Sequence, residues 1–178
     1  MAGSVRGYDG KLAEIRETFQ KGSMMSAFDP EKELDELGIP VQYLNLRDVL
    51  AAWDAEHGKV YCSIGLSPVL KRCALSHELA HIKLDHRRCA FSDDAVTSIS
   101  AINQERSAEM WASRQLISAV QLAVARESGL PILAVSKELG VTDRMYRARL
   151  LAEKQDEMRW LGAEGYGSWG CSTDLVAS

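Results

Sequence analysis

Apolar residues recur at helical spacing along most of the chain, and a short stretch before residue 67 has a strand-like pattern instead. Residues 8–20 carry apolar side chains three and four positions apart, which predicts a first helix. Asp29 and Pro30 are typical of the start of a second helix, and Gly38 is typical of its end. The pattern therefore predicts an α+β protein that is mainly helical.

The strand-like stretch contains three candidate strands. Ile39–Leu46 predicts a strand with Pro40 near its beginning. Val49–Asp54 and Lys59–Ile64 predict the two arms of a hairpin that turns at Ala55–Gly58. We therefore expect a small antiparallel sheet of about three strands. An exposed edge of this sheet would allow an extended peptide to add as a further strand.

The next segment, Leu70–His86, predicts a helix that is apolar on two sides. It follows Ser67 and Pro68, which are typical of a helix start. One apolar stripe is formed by Leu75, Leu79 and Ile82. A helix with this pattern is expected to be buried.

This helix carries the sequence His77-Glu78-x-x-His81. Residues four positions apart share a helix face, so the two imidazoles point to the same side, where nitrogen ligands suit Zn²⁺. Glu78 lies about a quarter turn away, which suits a general base for water activated by a metal ion. A buried pair of hydrogen-bonded histidines is the alternative interpretation, because such groups are costly in a core unless paired or ligated.

Catalytic zinc sites typically use three protein ligands, so a third ligand is needed. The spacing HExxHxxGxxH is excluded, because Leu84 and Arg87 stand where glycine and histidine would be required. His86 lies five positions after His81, on a different side of the helix. Asp85 is too close along the same helix, and is better suited to orient a ligand or to cap a turn.

A second helical segment offers two carboxylates. Residues 95–126 contain no glycine or proline, which predicts one long helix from Ala95 to Arg126. One face of it carries Glu105, Ala108, Glu109, Ala112 and Leu116. Carboxylates on an otherwise apolar face need a partner, and small residues allow a close approach to the first helix. Glu105 and Glu109 are therefore both candidate ligands, and a solvated charged face is the alternative.

Pro131–Leu150 predicts two helices joined by a turn, with Thr142 or Asp143 as the cap of the second helix. Three arginines of this segment could face phosphates, namely Arg144, Arg147 and Arg149. However, residues 131–160 carry six basic and five acidic side chains, which is a weak balance for DNA binding. We expect a structural or substrate-docking role rather than direct DNA binding through residues 131–150.

Composition narrows the class of protein further. The net charge of −4 gives no general attraction to nucleic acid or to an anionic membrane. No apolar run approaches the roughly 18 residues that a membrane span requires. The first 20 residues lack the apolar core of a signal peptide. We therefore expect a cytoplasmic protein with no membrane partner.

The four cysteines do not indicate a metal site of their own. None of them forms a C-x-x-C pair, so a four-cysteine zinc site is not expected. In the cytosol they are expected to be reduced. Cys73 lies four residues before His77, and we expect it to be a small buried apolar residue rather than a ligand.

Two stretches of the chain resemble the ImmA/IrrE family of intracellular metallopeptidases, namely ALSHELAHIKLDH and QERSAEMWASRQLI. The resemblance covers roughly residues 34–150 and includes the LGIPV segment and Arg72. In that family the third ligand opens an E-x-x-A-x-x-F/W-A segment. The resemblance thus implies that Glu105 is the ligand, with Ala108, Trp111 and Ala112 following in register.

The chain also departs from the family pattern near the site. Ala80 stands where the family often has glycine, and Cys73 and Ala74 stand near positions where it often has phenylalanine or a hydroxyl. These differences leave the ligands unchanged, but the shape of the cleft cannot be carried over from the family. The resemblance implies a zincin-like peptidase domain, which we place at residues 1–128, followed by a helix-turn-helix-like segment at 129–160. Residues 161–178 lie outside the resemblance; they contain four glycines and little periodicity, so we expect a flexible tail.

The activity implied by the resemblance is a zinc-dependent endopeptidase that cleaves a helix-turn-helix repressor. His77, His81 and Glu105 would hold Zn²⁺, and Glu78 would be the general base. Mn²⁺ or Fe²⁺ would also suit such ligands. Tyr61 is a candidate for stabilising the oxyanion. The alternative is a regulator that binds repressor or DNA without turnover and has retained the peptidase fold.

Overall fold

The computed structural model describes residues 10–13, 15–17, 28–86 and 99–165. The first predicted helix is present as α1, whose described helical residues are 10–13 and 15–17. The remaining elements are α2 (Pro30–Glu36), β1 (Val41–Leu44), β2 (Ala51–Asp54), β3 (Lys59–Ser63), α3 (Pro68–Lys83), α4 (Ile99–Leu116), α5 (Ala119–Glu127), α6 (Ile132–Leu139) and α7 (Asp143–Gly165). The mainly helical α+β architecture is therefore confirmed. Within the described ranges, no helix combines the length and apolarity that a bilayer span needs.

The sheet has the order β1-β3-β2 and is mixed rather than antiparallel. The predicted hairpin is present, with β2 antiparallel to β3 and Ala51 opposite Cys62. β1 runs parallel to β3, with Val41 opposite Val60. The prediction of an antiparallel sheet is thus wrong for β1. The chain reverses direction twice, once in residues 45–50 and once in the hairpin, so β3 runs in the same direction as β1.

The helix α3 is packed against the sheet, which confirms that it is buried. Leu75 and Leu79 are fully buried in a cluster with residues of β3 and α2, namely Val60, Cys62 and Leu34. Full burial of a leucine side chain stabilises a fold by about 1.5–3 kcal/mol. Ser67 caps the helix, because its hydroxyl accepts the N–H of Leu70 at 3.3 Å. These contacts fix α3, and with it the histidine motif, relative to the strands.

The opposite side of α3 packs against α4 and the C-terminal helices. The predicted inward face of α4 is confirmed, because Ala108 and Ala112 are fully buried beside Ala80 of α3. Cys73 belongs to the same cluster and is buried, as expected. The cluster continues into α6 and α7 through Val135, Leu139, Met145 and Tyr146. The C-terminal helices therefore share one apolar core with the helix that carries Glu105.

The prediction of one long helix from Ala95 to Arg126 is wrong. α4 ends at Leu116, and Ser118 begins α5 with a capping box. The Ser118 hydroxyl accepts the N–H of Gln121 at 3.2 Å, and the Gln121 side chain accepts the N–H of Ser118 at 2.9 Å. A capping box satisfies backbone N–H groups that would otherwise lack partners at a helix start. This local bonding breaks the helix without glycine or proline.

α6 and α7 are joined by a turn at residues 140–142. Gly140 adopts a left-handed conformation with φ of 63°, and Thr142 caps α7 by accepting the N–H of Met145 at 3.3 Å. α7 continues to Gly165, so the first residues of the predicted flexible tail are helical. Residues 166–178 of that tail lie outside the described ranges.

Arg149, one of the three arginines that could face phosphates, is buried, with 5 % of its surface exposed. Its Nε–H donates to the carbonyl of Ile117 at 3.0 Å, and its Nη1 lies 2.8 Å from a carboxylate oxygen of Glu153. Arg149 is therefore not placed to contact a phosphate. Its guanidinium instead satisfies a backbone carbonyl at the break between α4 and α5.

The capping box predicts a measurable effect of Ser118→Ala. Loss of the hydroxyl should lower the free energy of unfolding by about 1 kcal/mol, because the N–H of Gln121 loses its acceptor. Urea denaturation would measure this change. Ser107→Ala, inside α4, is the matched control and should stay within about 0.5 kcal/mol of the unmodified protein. Equal midpoints for the Ser118 variant and the unmodified chain would contradict the assigned role of the cap.

Candidate metal centre

Three side chains from two helices converge on one point. α3 supplies His77 and His81, which lie one turn apart, and their Nε2 atoms are separated by 3.1 Å. α4 supplies Glu105, whose Oε2 lies 3.1 Å from Nε2 of His77 and whose Oε1 lies 3.4 Å from Nε2 of His81. Among the described residues, these three form a group whose ligand atoms all lie within 4.8 Å of one another.

These distances can be compared with the geometry of a bound ion. Zn²⁺ binds nitrogen and oxygen at roughly 2.0–2.1 Å in tetrahedral sites, which separates neighbouring ligand atoms by about 3.3 Å. The two Nε2 atoms lie 3.1 Å apart, and each lies 3.1 or 3.4 Å from one of the two carboxylate oxygens of Glu105. Two imidazole nitrogens and a carboxylate oxygen are also a donor set that suits zinc. The residues present therefore fit a divalent cation in both spacing and chemistry.

The two carboxylates of α4 point to different partners. Glu105 faces the histidines, whereas Glu109, one turn further along, forms an ion pair with Arg144 of α7. Of the two candidates left open by the helix pattern, Glu105 is therefore the one brought to His77 and His81. This is also the residue that the family resemblance implies.

The protonation of the site matters because imidazoles bind metals only as neutral ligands. Burial and the neighbouring His77 lower the pKa of His81. Burial also lowers the pKa of His77, but hydrogen bonding to Glu105 and nearby carboxylates outweigh it and raise the value. The hydrogen bond from His77 in turn lowers the pKa of Glu105. These shifts favour a neutral His81 and an ionised Glu105, whereas the raised pKa of His77 means that an ion bound there would displace a more tightly held proton.

Glu78 is buried next to the histidines, with 8 % of its surface exposed. The backbone N–H of Trp53 in β2 donates to its Oε2 at 2.8 Å. Burial raises the pKa of Glu78 above the usual value, although His77 and the Trp53 N–H act in the opposite direction. The strand therefore anchors one oxygen of a carboxylate whose proton affinity is increased by burial.

His86 makes a contact that the sequence pattern did not predict. Its Nδ1 lies 3.1 Å from Nδ1 of His81. The helical projection placed His86 on another side because it extended the helix, but α3 ends at Lys83. Asp85 then adopts a left-handed conformation with φ of 51°, which turns the chain back over His81. An aspartate after the last turn was the available signal, because Asp and Asn tolerate this conformation better than most residues.

A cavity of about 330 Å³ lies over the three converging side chains. Its walls come from four regions: the segment Asp48–Ala51, the helices α3 and α4, and the first turn of α7. The residues contributed by α7 and the turn before it are Thr142, Arg144 and Met145. Tyr61, the candidate for oxyanion stabilisation, is not among the described residues that line the cavity. Its ring lies beside the ammonium group of Lys59, at 5.3 Å.

The close packing of α3 and α4 predicts that added volume at Ala108 will be costly. Ala108 is fully buried, so Ala108→Leu should lower the free energy of unfolding by about 1–3 kcal/mol. Thermal and urea unfolding would measure the loss. The matched control is Ala119→Leu at an exposed position of α5, which should change stability by less than about 0.5 kcal/mol. Equal effects at the two positions would show that the helices are not held closely together there.

Comparison with known protein families agrees with this geometry. The model of the Peptidase_M78 family, described as the IrrE N-terminal-like domain, matches residues 34–151. The comparison with curated proteins finds no match. The matched region is about two thirds of the chain and runs from α2 into α7, so it includes His77, Glu78, His81 and Glu105. The chain therefore belongs to the IrrE N-terminal-like (ImmA/IrrE, Peptidase_M78) family of metallopeptidases, as the resemblance implied.

Proposed function

We propose that this protein is a zinc-dependent endopeptidase that cleaves a helix-turn-helix transcriptional repressor of a phage, a mobile element or a stress response, and so relieves repression. The observation that carries the proposal is the convergence of His77, His81 and Glu105 at ligand spacing, with Glu78 beside them in a cavity. Membership of a metallopeptidase family supports the peptide-cleaving chemistry. The choice of repressor as substrate rests on the family resemblance.

In this proposal His77 and His81 would hold the cation through Nε2, and Glu105 would hold it through its carboxylate. When bound, zinc supplies Lewis acidity that lowers the pKa of a water molecule and polarises the scissile carbonyl. Nitrogen and oxygen donors favour zinc, whereas Mn²⁺ and Fe²⁺ remain chemically compatible alternatives. Three protein ligands are the number typical of a catalytic rather than a structural zinc site.

Glu78 is the proposed general base. Its carboxylate accepts the proton of the attacking water and then transfers it to the nitrogen of the leaving amine. Because the backbone N–H of Trp53 holds Oε2, the second oxygen is available for this proton transfer. A pKa raised by burial makes the carboxylate a better proton acceptor than an exposed glutamate.

The cavity favours an extended peptide as the substrate. A volume of about 330 Å³ holds a few side chains but no folded domain. β2 is an edge strand of the sheet, and Ala51 lines the cavity. Since backbone groups alternate along a strand, those of Ala51 point to the same edge as the N–H of Trp53, which faces Glu78. We therefore propose that the substrate lies along β2 and adds to the sheet beside the metal centre.

The arginines of residues 131–150 argue against the alternative of a DNA-binding regulator. Arg149 is buried against Ile117 and Glu153, and Arg144 forms an ion pair with Glu109 at the cavity. Only Arg147 of the three is exposed without such a contact in the described ranges. A single free arginine on a protein with a net charge of −4 gives little attraction to phosphates.

The ligand assignment predicts different effects of neutralising the two carboxylates of α4. Glu105→Gln should weaken zinc binding by more than the roughly 10–100-fold typical of losing a hydrogen-bonding partner of a ligand, because a charged ligand itself is lost. Glu109→Gln is the matched control and should retain zinc, since Glu109 pairs with Arg144. Elemental analysis and chelator competition on the purified variants would measure the difference. If Glu109→Gln lost the ion and Glu105→Gln retained it, the assignment of the third ligand would be wrong.

The assignment of Glu78 predicts a variant that binds metal but does not cleave. Glu78→Gln should retain zinc and lower the cleavage rate by about 10²–10⁴-fold, which is the range typical for loss of a general base. The assay would incubate the repressor encoded nearest this gene with each protein and follow fragments on a gel. Glu127→Gln, at an exposed position of α5, is the matched control and should cleave normally.

Two outcomes of this assay would contradict the proposal. Cleavage by Glu78→Gln at the unmodified rate would exclude Glu78 as the base. An intact repressor in a stable complex with the zinc-loaded protein would favour the alternative of a regulator without turnover. Addition of a chelator to the unmodified protein should stop cleavage, because the proposed chemistry depends on the ion.

A further inference from the structure

Both ring nitrogens of His81 have polar neighbours. Nε2 of His81 points to His77 and Glu105, and Nδ1 lies 3.1 Å from Nδ1 of His86. The two rings are in edge contact, with centroids 5.1 Å apart and planes at 67°. His81 itself has only 4 % of its surface exposed. The described residues thus give its Nδ1 one partner, and this partner is His86.

We infer that His86 is a positioning residue that orients His81 for metal binding, an inference that rests on the metal centre of the proposed function. A neutral imidazole that ligates through Nε2 carries its proton on Nδ1. That N–H needs an acceptor when it is buried, because an unsatisfied buried donor is costly. Nδ1 of His86 is the acceptor, so His86 must carry its own proton on Nε2.

The backbone holds His86 in the place this role requires. Asp85, at φ of 51°, reverses the chain after α3. The N–H of His86 then donates to the carbonyl of His81 at 2.9 Å, so the two residues are linked through both backbone and side chain. This link leaves Nε2 of His81 free for the ion and fixes the orientation of the His81 ring. Acceptors of this kind typically change metal affinity by 10–100-fold when they are removed.

His86 is not itself a candidate ligand of the same ion. It approaches His81 through Nδ1, whereas the group of converging ligand atoms contains Nε2 of His81. The two nitrogens lie on different sides of the imidazole ring, so an ion at Nε2 is out of reach of His86. The role assigned to His86 is therefore hydrogen bonding to a ligand. Two substitutions at His86, one that keeps a hydrogen-bond acceptor and one that removes it, test this role.

Asparagine and leucine provide this pair, because they have similar shapes and differ in hydrogen bonding. In His86→Asn the side-chain oxygen occupies the position of Nδ1 and can still accept a hydrogen bond. In His86→Leu no acceptor remains. The zinc affinity of the full-length protein would be measured by competition with a chromophoric chelator, and the visible spectrum of the Co²⁺-loaded protein would report the ligand geometry. Thermal unfolding of the metal-free proteins would compare their folding.

We expect His86→Leu to weaken zinc binding by about 10–100-fold and to change the Co²⁺ spectrum. His86→Asn should stay within about threefold of the unmodified protein, since the acceptor remains. The matched control is His57→Leu, at the exposed turn between β2 and β3, which should leave both readouts unchanged. If His86→Leu does not fold, His86→Ala makes the same comparison with the asparagine variant.

Three results would overturn the inference. The first is a zinc affinity of His86→Leu equal to that of the unmodified protein. The second is an equal loss of zinc affinity in His86→Asn and His86→Leu when both are folded. The third is no zinc uptake by the unmodified protein. The last result would overturn the proposed metal centre as well. If instead the affinities follow the expected order but no repressor is cleaved, the inference stands and only the proposed substrate fails.

Discussion

The candidate site depends on how closely α3 and α4 pack. The two histidines lie on α3 and Glu105 lies on α4, so separations of 3.1–3.4 Å between their ligand atoms require adjacent helices. Small residues at the contact, Ala80, Ala108 and Ala112, are fully buried and allow this approach. The sheet holds the other side of α3 through Leu75 and Leu79. Two apolar clusters, one on each side of α3, therefore fix the spacing of the three polar groups.

The apolar surroundings also set the chemistry of the site. Buried ionisable groups are costly unless they are paired, and each buried group of the motif has a partner. His81 contacts His77, Glu105 and His86, and Glu78 accepts the N–H of Trp53. The pKa of Glu78 is raised by burial, while that of His81 is lowered. Both shifts suit the proposed roles, because a base needs proton affinity and a ligand needs a free lone pair.

Local geometry explains which features could be predicted from the sequence. His77 and His81 share a face because residues four positions apart always do so in a helix. The face of α4 reduced the third ligand to Glu105 or Glu109. The family resemblance implied Glu105, and the packing of the two helices brings this residue to the histidines. The direction of β1, which is parallel to β3, depends on a partner distant in sequence. The helix break at Ser118 depends on side-chain capping, and the position of His86 depends on the left-handed conformation of Asp85. Hydrophobic periodicity indicates neither feature.

The most direct test of this account is the ligand set of the loaded protein. X-ray absorption spectroscopy at the zinc edge distinguishes imidazole and oxygen ligands from sulfur. We expect one zinc ion per chain, with two imidazole nitrogens and further oxygen donors at roughly 2.0–2.1 Å from the ion. Of the two cysteines in the described ranges, Cys73 is the one that lines the same cavity, and it is therefore a source of a competing sulfur ligand. A sulfur shell near about 2.3 Å, or a spectrum without two imidazoles, would contradict the convergence of His77, His81 and Glu105 on one ion.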